Sequence, residues 1–207
     1  IETKPLVYNN LVIFGAWDKN FYALDKKTGK EVWKWHEGKP GRFYSAAAVW
    51  PVAANGKVFI ADPERALTAI DASTGKTVWR TKESMVRETV GLSEDKRRIY
   101  SKTMNDSVVC YSATTDFPEK IWASNVGFGY EHAPSMPVEK EGVVFGSTKN
   151  GLMFGLDAHT GKVLWKHKVG NSLISTLVPL SKNKCLFTAT GGEIGLLVID
   201  YKINKHK

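Results

Sequence analysis

The chain has 207 residues, 43% hydrophobic and 24% charged, the composition of a globular domain large enough to bury a core. No apolar run approaches the ~20 residues of a membrane-spanning helix, and "IETKPLVYNN" at the start has neither the basic nor the apolar region of a signal peptide. Lysine and arginine outnumber aspartate and glutamate 29 to 21, a net charge of +8 that suits acidic partners, yet the lysines stand mostly alone and form no nucleic-acid-binding signature.

Five units follow one another. The first opens at Pro5 with "PLVY", turns at "NN", continues as "LVIFG", turns at "WDKN", and runs through "FYALD" to "KEVWKW". The second repeats the order as "PVAA", "KVFIA", "LTAID" and "KTVWRT". The third has Gly91 in place of the proline and reads "RIYS", "VVCYS" and "EKIWAS", with "TTDFPEK" replacing the tighter turn. The fourth gives "MPVEKEG", "VVFGS", "LMFGLD" and "KVLWKH". The fifth starts at Pro179 and passes through "CLFTA" to "LLVID" without a closing tryptophan.

Short β-branched and aromatic runs between polar turns, with no helical period longer than two turns, predict an all-β chain. Four strands per ~43 residues predict a β-propeller of about five four-stranded blades. The blades are expected at about 3–35, 45–81, 86–124, 132–167 and 174–207 of a single domain spanning 1–207. The count leaves two arrangements open: five blades that close, or five blades of a larger seven- or eight-bladed ring. An open stack would expose two sheet faces.

"ALDKKTGKEVW", "AIDASTGKTVW" and "GLDAHTGKVLW" are one hairpin written three times. The glycine of each TG pair tolerates positive φ. The aspartates Asp25, Asp71 and Asp157 are placed to cap the turn backbone, and the tryptophans to pack between blades with the indole N–H on a carbonyl. These residues are read as scaffold. Cys110 and Cys185 lie far apart, in no CxxC or metal spacing, and read as isolated strand thiols.

In a propeller the connections between blades share a face with the turns between second and third strands. Here those connections are long: 36–50, 82–90, 124–136 and 168–178. They bring Arg42, Phe43 and Tyr44, then Arg87 and Glu88, then Tyr130, Glu131 and His132, then Asn171 and Ser172, toward the mouth of the channel. Arginine with aromatics is a recognition composition. The competing reading has Arg42 and Arg87 paired with Glu88 and Glu131 as a plug. No HxH, HExxH, GxSxG, P-loop or GxGxxG occurs. "YEH" at 130–132 is the one local cluster with acid–base potential.

The unit P-V-x-x-x-G-x-V-F-x-G-S … L-x-A-L-D-x-x-T-G-K-x-x-W resembles the PQQ-type propeller repeat over essentially the whole chain. Quinone dehydrogenases of that family need a vicinal cysteine pair and a calcium site, and neither pattern is here. The resemblance therefore implies the repeat without a cofactor. It implies a non-enzymatic scaffold that binds a protein or small ligand on the long-loop face, at the periplasm or cell surface. The alternative it leaves is an accessory C-terminal propeller of a larger enzyme, of metallophosphoesterase or signalling-kinase type.

Overall fold

The computed structural model describes residues 3–36, 46–131 and 135–201, except the side chain of Glu88. Each repeat folds into its own antiparallel meander. The first sheet is β1 (Leu6–Tyr8), β2 (Leu11–Gly15), β3 (Phe21–Asp25) and β4 (Glu31–Trp35). The second is β5 (Val52–Ala54), β6 (Lys57–Ala61), β7 (Leu67–Asp71) and β8 (Thr77–Thr81). The third is β9 (Val86–Leu92), β10 (Arg98–Thr103), β11 (Asn105–Ser112) and β12 (Lys120–Tyr130). The fourth is β13 (Val138–Lys140), β14 (Val143–Ser147), β15 (Leu152–Asp157) and β16 (Val163–Lys168). The fifth has three strands, β17 (Ile174–Ser181), β18 (Lys184–Ala189) and β19 (Ile194–Val198). The fold is the all-β propeller arrangement that the repeat predicts.

There is no single core. Four apolar clusters fill the four junctions between successive sheets. Ile13, Phe21, Ala23 and Trp33 of the first sheet meet Val58, Ile60, Ile70 and Ala72 of the second. Tyr100, Cys110 and Trp122 of the third meet Val144, Leu156 and Ala158 of the fourth. The inner strands β1, β5, β9, β13 and β17 follow one another around the axis. Strands β6 and β14 are buried at every residue because a neighbour lies on each face, which explains their unbroken apolar sequences. The first and fifth sheets alternate instead, with β19 half-covered on one side only.

The repeated hairpin does what its residues predict. The Asp71 carboxylate accepts from the Ser73 and Thr74 N–H groups (3.0 and 2.8 Å) and from both hydroxyls. The Ser73 and Thr74 hydroxyls and the Thr74 N–H hold that carboxyl down at about 2. Asp25 and Asp157 cap their own turns through Thr28 and Thr160 in the same way. Each tryptophan reaches into the next sheet. The Trp33 indole N–H donates to the Ala72 carbonyl (2.9 Å) and that of Trp122 to Ala158 (3.1 Å).

Three stretches differ from the sequence reading. Residues 82–90, 124–136 and 168–178 were expected as loops, yet β9 begins at Val86, β12 continues to Tyr130 and β17 begins at Ile174. Gly127 and Gly129, both at positive φ, read as loop punctuation; they are absorbed where the β11–β12 register shifts between Asn105 and Ser107.

Candidate functional site

One face of the molecule carries the connections between sheets and the turns between second and third strands. Backbone hydrogen bonds tie the two sets together: Val86 N–H to Arg65 O, Met104 N–H to Met85 O, Glu131 N–H to Met104 O, Val169 N–H to Gly151 O and Thr190 N–H to Leu173 O. The opposite face holds the tight turns and the longer 113–119 connection, joined as Ala72 N–H to Gly56 O, Ala113 N–H to Arg97 O and Ala158 N–H to Gly142 O.

On the first face the third and fourth sheets build a cluster. Arg87, on β9, sets its Nη1 3.9 Å from the Met104 sulfur. The Met104 carbonyl accepts from the Glu131 N–H at 3.1 Å. Glu131, only 1% exposed, turns its carboxylate onto the Lys149 N–H at 3.1 and 3.3 Å. Lys149, in the β14–β15 turn, lies with its Nζ 5.0 Å from the centre of the Tyr130 ring. Tyr130 closes β12 and stays exposed. Asn171 is exposed beside the same turn, where Gly151 leaves room for the 170–171 backbone. A cleft of about 330 Å³ opens next to Met104, lined by Glu83, Met85, Thr103, Asn105 and Ser107.

Of the residues singled out in the sequence, Arg87, Tyr130, Glu131 and Asn171 gather around Met104 and the β14–β15 turn. Glu88 lies on β9, and its side chain is outside the described residues. Arg42, Phe43, Tyr44 and His132 also fall outside them. Ser172 packs its hydroxyl where a side chain on Gly191 would go.

Sequence reasoning missed Lys102, Met104 and Lys149. Lys102 is 1% exposed and donates to the Ser135 hydroxyl and the Ser147 carbonyl, both at 2.9 Å. Thr89, Ser101, Ser135 and Ser147 continue this polar chain across the third, fourth and fifth sheets. The available signal was "YSKTM", a polar run where the matching strands of other units read "KVFIA" and "VVFGS".

The two thiols are buried and free. Burial pushes Cys185 up to about 11 and Cys110 higher still, so neither is a thiolate nucleophile near neutrality. Among the described residues no group of three His, Cys, Asp or Glu side chains could hold a metal ion, and no helix is long and apolar enough to cross a membrane.

A family model described as outer membrane protein assembly factor BamB matches residues 1–114 and 104–203. The chain belongs to this PQQ-like, BamB-type propeller family. Among solved structures it is similar to BamB from Moraxella catarrhalis, with a TM-score of 0.74 at 18% identity over 95% of this chain and 58% of that one. It is also similar to the computationally designed Ika8 protein, with a TM-score of 0.75 at 17% identity over 94% of this chain and 57% of that one. It therefore spans less than two thirds of either neighbour. No curated protein matches the chain in sequence.

Proposed function

We propose that this BamB-type propeller is a non-catalytic, protein-binding scaffold of the cell envelope that serves outer-membrane protein assembly. The observation that carries the reading is the convergence of Tyr130, Lys149, Glu131 and Arg87 on one face of a chain whose family is described by that role. An exposed aromatic with a cation over its ring, held from below by a buried carboxylate, is an anchor for a protein segment. The partner is read as protein rather than nucleic acid because the lysines stand mostly alone, form no nucleic-acid-binding signature, and four of them pair within the scaffold. Lys57 pairs with Asp116 (2.8 Å), Lys82 with Glu64 (2.5 Å) and Lys140 with Glu94 (2.9 Å), and Lys120 pairs with Glu83.

The test is cross-linking and affinity measurement with assembly proteins from the envelope of the source cell. Tyr130→Ala with Lys149→Ala removes the exposed half of the cluster and leaves Glu131 in place. Truncating such an anchor costs about 2 kcal/mol, or roughly thirtyfold in affinity. Binding equal to wild type for both the double variant and Arg87→Ala would remove this face from consideration. Fractionation that finds the protein outside the envelope would end the assembly role.

A further inference from the structure

The repeat keeps a cation at one position, and the third unit has lost it. The residue after the closing tryptophan is Lys34, Arg80 and Lys166 in the first, second and fourth units, and Ala123 in the third. In each sheet it pairs across to the third strand: Lys34 with Tyr22, Arg80 with Thr68, Ala123 with Val109 and Lys166 with Phe154. The cations are engaged. Arg80 donates to Asp62 (2.6 Å) and Glu64 (2.9 Å), and the Thr68 hydroxyl donates to Asp62 (2.9 Å). Lys166 Nζ donates to the Val126 carbonyl (3.0 Å), and Lys34 Nζ lies 5.3 Å from the centre of the Tyr22 ring.

The second and third units align here without a gap. Lys57 pairs with Asp71 as Arg98 does with Ser112, and the turns that follow match in length, with Arg65 and Asp106 both at positive φ (66° and 59°). Asp62, Glu64, Thr68 and Arg80 therefore correspond to Thr103, Asn105, Val109 and Ala123. Thr103 keeps half of the aspartate's role. Its hydroxyl oxygen accepts from the Asn105 and Ser107 N–H groups (3.3 Å each), as Asp62 Oδ1 accepts from those of Glu64 and Ala66 (2.8 and 3.1 Å). The second carboxylate oxygen, the one that holds the arginine, has no counterpart. All four replacements line the cleft of about 330 Å³ beside Met104. The space that an arginine side chain fills in the second unit is open in the third, and its lining is uncharged at all four positions. Met85, 52% exposed, stands at its mouth, and Glu83 on its rim pairs with Lys120.

We infer that this cleft binds an uncharged, apolar side chain of a partner polypeptide, and that the segment carrying it runs extended along β12. The inference rests on the reading of the chain as a protein-binding scaffold and names the chemistry of its partner. Charge complementarity excludes a cationic side chain, because a guanidinium buried here would lack the two carboxylates it has in the second unit. Thioether walls accommodate apolar groups of varied shape. β12 is the outermost strand of its sheet and has 11 residues, against 5, 5 and 6 for β4, β8 and β16. Short edges and edge lysines discourage strand addition, and from Ile121 to Tyr130 β12 carries no charged residue. The stretch 120–125 runs beside the cleft, before Lys166 takes the Val126 carbonyl. Strand addition draws affinity from the main chain and specificity from pockets for alternate side chains. A residue set opposite Ala123 shares its face and enters the cleft; the next one on that face meets Ile121, 45% exposed.

The experiment is fluorescence anisotropy with a labelled synthetic peptide of about ten residues, the length of an ordinary strand, alternating leucine and threonine between terminal lysines. The wild type is expected to bind it, and not to bind the same peptide with glutamate for leucine. Ala123→Arg with Thr103→Asp rebuilds the pair of the second unit inside the cleft and should weaken binding roughly tenfold or more, with unchanged circular dichroism. Met85→Asp, on the exposed rim and away from the core, should weaken it as well and keeps the test open if the double variant folds poorly. No binding by the wild type, equal binding of the glutamate peptide, or wild-type affinity in either folded variant overturns the inference. Envelope proteins that still bind when the peptide does not would end this inference and leave the scaffold role standing. Peptide binding without any envelope partner would do the reverse.

Discussion

Gly75 and Gly29 sit at the same place in two copies of one turn, with φ of +73° and +70°. Their surroundings differ. A Cβ added to Gly75 would lie 2.8 Å from the Cβ, Cγ and Cδ2 of Trp33, whereas one added to Gly29 would meet nothing within 4 Å. Gly29→Ala should therefore cost only the left-handed backbone term, about 1–2 kcal/mol. Gly75→Ala should cost a further 1–3 kcal/mol, roughly, for displacing the indole. Urea denaturation of the two variants measures the difference, and equal losses would mean that the indole is not seated on the turn. The aspartate, the glycine and the tryptophan were all legible in the sequence as parts of one hairpin. That the tryptophan seats on the glycine of the following unit was not, because each unit looks self-contained when read along the chain. Lys102 was invisible for a related reason. A lysine is expected in solvent, and only the packing of the fourth sheet beside the third supplies the Ser135 hydroxyl and the Ser147 carbonyl to bury it.

The outer strands are the elements that bind one blade to the next, and they are not equivalent. β4 and β12 carry tryptophans whose N–H groups donate to Ala72 and Ala158, each the residue after a capping aspartate. The third unit has Ser112 at the aspartate position and an insertion for its turn. There the Ala113 carbonyl accepts instead from Asn55 Nδ2 at 3.3 Å, and the buried Trp79 N–H finds no acceptor among the described residues. Both indoles are buried against an aromatic ring, Trp79 stacking on Tyr111 of the following sheet and Trp122 on Tyr100 of its own. Trp122→Phe should thus destabilise by about 1 kcal/mol more than Trp79→Phe, the net worth of one hydrogen bond. Chemical denaturation decides it; a Trp79→Phe cost equal to or above that of Trp122→Phe would place an acceptor where none is now seen. The same unit held the main surprise in element boundaries. Exposure alternates along β12 from Trp122 to Val126, with Trp122, Ser124 and Val126 buried, so the strand pattern was present in "WASNV". The two glycines that follow masked its continuation to Tyr130, and that continuation moves Tyr130 from a loop onto the end of a strand.

At the scale of the whole molecule, stability is a sum over neighbours. Among the described residues the main inter-sheet contacts join successive sheets, as in other repeat arrays. The number of units was readable from the spacing of prolines and tryptophans; the uncovered faces were readable too, once the continuous burial of "VVFGS" is set beside the alternation of "KCLFTA". The gradient that follows is measurable by hydrogen exchange. Strands β6, β10 and β14 have a packed sheet on each face and should exchange only through global opening. Strands β18 and β19 lean on the fourth sheet alone and should open locally, about tenfold faster for each 1.4 kcal/mol that their junction falls short. Uniform exchange across all five sheets would mean that the array unfolds as a single unit and that a sheet packed on one side is held as firmly as one packed on both.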